Sequence, residues 1–226
     1  MIGAWNYRQV CHELTNAFDR RYPKNKGNAV RMVGLLFAPP EAGLAKKEII
    51  PSLTHFHHRS GNNIDIFCAG YGRYWRAGAV YDARNVTEDQ PPWLFSSTLF
   101  RDFLDETEGM STWEYSGEAD LLLMNAIFDK NKKSASLDFT SAVACDLEQM
   151  ARDKAIHGVR RFFEDMFRFA ENSDSNDPTW GFSDKMGLRV AGSAFKRIIL
   201  SLLPKKIGDD YKRAEHFAVR DISPRP

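Results

Sequence analysis

The stretch Glu114-Tyr-Ser-Gly-Glu-Ala-Asp120 gathers the densest set of groups able to move protons. Two carboxylates, Glu118 and Asp120, stand two residues apart beside the hydroxyls of Tyr115 and Ser116, with Glu114 at the loop's entry. Such a pair divides general-acid and general-base work when burial drives the two pKa values apart. Glu41, just past the end of an apolar strand-like run, is a further carboxylate that the fold can bring to the same strand ends. The plainer reading is that Ser-Gly makes a turn and that its acidic neighbours are solvated.

A second group is Thr54-His-Phe-His-His58. His55 and His58 lie three apart and share a helical face, so together they could hold a metal ion if a third ligand arrived from elsewhere. No H-E-x-x-H pattern accompanies them, and Arg59 follows, which suits cationic groups grouped at a helix C-terminus. Cys68 would need His57 or His58 as a base to act as a nucleophile; in an apolar strand it reads as a buried thiol. Gly70-Tyr-Gly72 lacks the G-x-G-x-x-G continuation, so dinucleotide binding has no support and no cofactor is expected.

These residues must be positioned by the elements around them. Val10, Leu14, Ala17 and Phe18 mark an N-terminal amphipathic helix over 4–20, and Val30–Phe37 is a run suited to a strand buried on both faces. A helix over 41–60 carries Ala45, Ile49, Leu53 and Phe56, with Pro51 as a kink or a start and Gly61 as its cap. Ile64–Ala69 alternates as a second strand, residues 76–82 form a third and shorter one, and Ser96 or Ser97 caps a helix closed by Gly109. Asp120–Asp129, turning through Lys130-Asn-Lys-Lys133 into Ser134–Phe139, is a hairpin. A long helix then runs over 141–172, kinking near Gly158 or overhanging the sheet.

The whole is an α/β fold: a central mixed sheet of about four to five strands flanked by helices. It divides into a domain over 1–172, a polar linker over 173–189 and a helical extension with a tail over 190–226. With 226 residues, 43% of them hydrophobic, the chain can bury one sizeable core. Its 31 basic and 30 acidic residues leave a formal charge of +1, which removes any global argument for nucleic acid. The N-terminus lacks the apolar core of a secretory signal, no run reaches the roughly 20 residues that span a bilayer, and three scattered cysteines imply reduced thiols. A cytoplasmic location follows as an expectation.

The order helix, strand, helix, strand, helix, strand, strand, helix over about residues 30 to 160 resembles the thioredoxin-like fold, which closes with a hairpin and a helix. That family carries C-x-x-C after its first central strand, then a helix with a kinking proline. Here the stretch is Ala38-Pro-Pro-Glu-Ala-Gly-Leu-Ala-Lys-Lys-Glu-Ile-Ile-Pro51, with the proline kept and both cysteines missing. The family's proline before the hairpin is also replaced, by Gly117-Glu-Ala-Asp120. The resemblance implies a scaffold whose dithiol chemistry is gone, since exchange needs two thiols within reach. The leading expectation is a protein-interaction or assembly module; the rival is a hydrolase or transferase using Glu41, Tyr115, Ser116, Glu118 and Asp120. Residues 185–206, basic and without an acidic residue, offer a contact for an acidic partner, and Phe162, Phe163, Phe167 and Phe169 offer a surface for self-association.

Overall fold

The computed structural model describes residues 1–21, 29–60, 64–75, 80–172, 192–204 and 218–222. A short strand, β1 (Ile2–Ala4), leads into helix α1 (Tyr7–Arg21), whose Val10, Leu14 and Phe18 are buried. The apolar run forms β2 (Ala29–Phe37). The next helical stretch is uneven: a π-helical turn at Ala45–Ile49 and a 3₁₀ turn at Ile50–Ser52 precede α2 (Leu53–Arg59). Pro51 sits in that 3₁₀ turn, where its missing N–H and its ring are accommodated by local rewinding. Gly61, the expected cap, lies outside the described residues.

Next come β3 (Asp65–Ala69), β4 (Tyr71–Gly72), β5 (Arg84–Asn85) and β6 (Leu94–Phe95), then α3 (Ser97–Gly109). Ser96 caps α3 by accepting from the Leu99 N–H. The hairpin is present as β7 (Asp120–Asp129) and β8 (Ser134–Asp146), and its turn is closed by Asp129 Oδ1, which accepts from the Asn131 and Lys132 N–H groups. Helices α4 (Leu147–Arg152), α5 (Val159–Asn172) and α6 (Gly192–Leu202) and strand β9 (Val219–Asp221) complete the described chain.

The architecture is mixed α/β. The main sheet has six strands in the order β1-β3-β2-β7-β8-β9, with β1, β3 and β2 parallel and each later neighbour antiparallel. A small antiparallel sheet, β4-β6-β5, stands beside it. Helices α1 and α3 cover the face carrying Phe37 and Phe128, while α2, α5 and α6 cover the other. On that second face Phe56 stacks on Phe163 with ring centroids 4.8 Å apart, and Phe167 joins them at 6.2 Å from Phe163.

Two expectations require correction. The helix expected over 141–172 is three elements: residues 141–146 extend β8, α4 is separate, and the chain breaks before α5 at Gly158 with φ +130, a conformation that favours glycine. The cause is Asp146, whose carboxylate accepts from the Gln149 N–H and so starts a new helix where a continuous one was expected. The third strand expected over 76–82 is not found in its described part. Residues 76–79 lie outside the description, residues 80–82 form a bend and turn, and the neighbouring strand is β5, in the small sheet. The main sheet instead gains β1 and β9, three residues each, too short to show any period. The linker expected over 173–189 also lies outside the described residues.

Phe163 is fully buried between α2 and the sheet, whereas Tyr74 is 73% exposed. Truncating Phe163 to Ala is expected to lower stability by about 3–5 kcal/mol. Truncating Tyr74 to Ala should change it by no more than about 0.5 kcal/mol. Urea unfolding of the two variants checks this contrast.

Candidate functional site

Asp120 opens β7 and lies in register with Phe37 of β2 on one side and Asp146 of β8 on the other. It is 1% exposed. Its Oδ2 accepts from the Trp113 indole N–H and the Ser116 backbone N–H, both at 3.0 Å, while Oδ1 is buried with no hydrogen-bond partner among the described residues. Burial pushes its carboxyl above the ordinary range and the like charge of Asp146 adds to this, against the pull of the two donors.

The preceding loop folds onto this carboxylate because Gly117 takes a φ of +89, reversing the chain within one residue. The Tyr115 hydroxyl donates to the Glu118 carbonyl at 2.5 Å, and the Glu118 N–H donates to Ser116 Oγ at 3.2 Å. Burial raises the Tyr115 phenol well above its usual value, so it stays a neutral donor. Tyr115, Ser116 and Asp120 are thus brought together, and Glu118 enters through its backbone.

Beside this loop is an open groove of about 460 Å³, lined by Glu114, Tyr115, Ser116, Asp146, Gln149, Ala218 and Arg220. Asp120 lies behind its wall and does not line it. The structure adds Asp146, Gln149 and Arg220 to the loop. For the first two a signal was present, since Asp146-Leu-Glu-Gln149 has the Asp-x-x-Gln spacing of a helix start. Arg220 arrives on β9, about a hundred residues after the loop, and no local pattern marks it.

Glu41 is not part of this arrangement. It lines a separate groove of about 690 Å³ with Pro40, Lys46, Ile50, Pro51 and Arg84, and it pairs with the Arg84 guanidinium, each side chain more than half exposed. The three carboxylates therefore do not converge: Glu41 faces Arg84, Glu118 offers its main chain, and Asp120 is sealed behind the loop.

The histidines separate as well. His55 Nε2 lies 2.7 Å from Glu164 Oε1 of α5, and Glu164 also accepts from Arg59 Nε at 3.3 Å. Burial works upward on Glu164, but these two partners outweigh it and hold its carboxyl below the usual range. The His58 ring lies against His57, whose Nδ1 meets the Met1 carbonyl. Among the described residues no three His, Cys, Asp or Glu side chains are grouped to hold a metal ion.

Cys68 is fully buried, its Sγ 3.1 Å from Met1 Sδ, and burial pushes its thiol up to about 12, far from nucleophilic use at neutral pH. Cys11, Cys68 and Cys145 are all free, in α1, β3 and β8. Of the four phenylalanines expected at a self-association surface, Phe162, Phe163 and Phe167 are inside the fold, and the Phe169 side chain lies outside the described residues. Of residues 185–206, only 192–204 are described; there Ile198, Ile199 and Leu203 are buried and α6 lies on β8 and β9. No helix among the described residues is long and apolar enough to cross a membrane. Compared with protein families, curated proteins and solved structures, the chain matches none of them.

A carboxyl whose folded pKa lies above its unfolded value favours the folded state below the unfolded pKa, and that advantage is lost as pH rises through the folded pKa. Asp120 has this sign. In Asp120→Asn no proton is released, so the stability of the variant relative to the parent is expected to rise between about pH 4 and pH 7. Urea titrations at the two pH values read the difference directly.

Proposed function

We propose that this chain is a non-redox α/β protein that works as a protein-interaction or assembly module, with a thioredoxin-like topology. In support of that topology are the parallel strands β1, β3 and β2, joined through helices, with an antiparallel hairpin and a helix closing the unit. The redox function of such a scaffold is missing for a chemical reason: Cys68 and Cys145 are buried, and the stretch Ala38–Pro51 directly after β2 contains no cysteine. Three free thiols also favour a reducing compartment, which we take to be the cytoplasm.

One observation carries the interaction reading. Most aromatic rings of the described chain are enclosed, yet Tyr74 and Tyr81 are 73% and 103% exposed. The Arg73 guanidinium lies 5.9 Å from the Tyr74 ring, and the partly buried Trp5 and Trp75 meet edge to face at 6.2 Å. Tyrosine, tryptophan and arginine are the residues that interfaces concentrate, because they supply contact area with few torsions to immobilise.

The rival enzyme reading draws on Asp120, a desolvated carboxyl beside a polar groove. If it were a hydrolase, purified protein would cleave nitrophenyl acyl or phosphate esters, and Asp120→Asn would abolish the turnover; we expect no turnover above the level of the variant.

The interaction reading is tested by immobilising the protein and a Tyr74→Ser/Tyr81→Ser double variant. The two should unfold at the same temperature, while the variant retains several-fold less of a specific co-purifying protein or, by light scattering at high concentration, of its own oligomer. Equal retention together with a monomer in both cases would remove the reading.

A further inference from the structure

Strand β5 is the outer strand of the small sheet, exposed at both residues and, among the described residues, paired with β6 alone. Its register, Arg84 with Phe95 and Asn85 with Leu94, continues through the Val86 N–H, which donates inward to the Trp93 carbonyl at 2.8 Å. Antiparallel pairing alternates inward and outward groups along a strand. With Val86 turned inward, the N–H and C=O of Asn85 point outward along an edge that no strand of the described residues covers.

That edge is held in place before any partner arrives. Asp82, two residues before β5, accepts from Ser97 Oγ at 2.9 Å and the Thr98 N–H at 2.8 Å, and also from Ser96 Oγ, which ties it to the start of α3. On the far side Asp89 accepts from Thr54 Oγ1 at 2.6 Å. An edge fixed at both ends loses little freedom on binding.

Asn85 and Val86 line two grooves of opposite charge. The groove toward α2, about 690 Å³, holds Lys46 and Arg84 against the single carboxylate of Glu41, with Pro40, Ile50 and Pro51 as apolar wall. The other, about 550 Å³, holds Glu88 and Asp89. Lys46 has no carboxylate partner among the described residues, and the exposed Arg84–Glu41 pair is the kind that a competing carboxylate replaces with little loss.

We propose that the β5 edge captures an extended segment of a partner protein, adding it as a fourth antiparallel strand, with a basic residue toward Glu88 and an acidic one toward Lys46 and Arg84. This rests on the interaction-module reading and gives it a site and a partner chemistry. Antiparallel addition puts the segment's N-terminal end beside Glu88, so the basic residue precedes the acidic one. The four-residue step from Arg84 to Glu88 sets their spacing. Backbone hydrogen bonds supply attraction, and the charge order supplies direction.

The probe is a fluorescein-labelled acetyl-Lys-Val-Thr-Val-Glu-amide, followed by anisotropy. It is expected to saturate the full chain. Binding should weaken roughly ten-fold or more when the charge order is reversed, or when the amide of the second valine, the residue opposite Asn85, is N-methylated. The same loss is expected for Asn85→Pro, which removes the outward donor, and for Lys46→Glu, which inverts one charge at an exposed position; unfolding midpoints verify both folds. Equal binding of the reversed or N-methylated peptide, equal binding by both variants, or no saturable binding would overturn the proposal. Should the probe fail while the parent still retains a protein that the tyrosine double variant loses, the edge site falls and the interaction reading stands. If neither is seen, both fall.

Discussion

The pairing of β2 with a neighbour on each side is the constraint on which the rest of this structure depends. All nine residues, Ala29–Phe37, bond antiparallel to β7 and Val33–Leu36 also bond in parallel to β3, so this half of the strand is paired on both edges, and helices close over both its faces. A strand in that position has to be apolar almost throughout. Arg31 is the exception, and its guanidinium lies 3.1 Å from Asp65 Oδ2 of β3, so the one charge placed inside is met by another from the adjoining strand.

From this central strand the position of Asp120 follows. It sits in register with Phe37, at the end of the buried strand, where its backbone completes the ladder and its side chain is withdrawn from solvent. The loop before it is built around the resulting carboxylate: Trp113 and Ser116 bring donors, Tyr115 bridges back to Glu118, and Gly117 supplies the reversal. The Asp120 carboxylate is thereby enclosed in a network with one buried oxygen left over, while Glu114 and Ser116 stay exposed at the groove.

Much of this was legible in the amino-acid order. The apolar run of β2, the Ser96 cap of α3 and the charged turn between β7 and β8 each carry a local pattern that their surroundings reinforce, whereas β3, read as an alternating strand, is a strand buried at all five residues. What escaped did so for definable reasons. Val143 and Leu147 fit a helical spacing as well as an extended one, so the boundary at Asp146 is set by a capping bond that periodicity does not register. β1 and β9 are added by tertiary pairing alone, and Arg220 reaches the groove only because β9 lies against β8. The site residues were identified by type, but whether Glu41 and Asp120 meet depends on a separation of nearly eighty positions in the chain, and here Arg84 holds the former elsewhere.

The brevity of the two outermost strands has a consequence for how this molecule lives among its copies. β1 and β9, each three residues, form the borders of a sheet whose interior strands reach thirteen residues in β8. A long bare border would serve as a template on which like chains stack into fibrils, and truncating it is a familiar natural defence. Beside β1 and β9 the sheet therefore offers crowded neighbours little length on which to nucleate a shared ribbon, although β9 covers only Val143–Cys145 of β8.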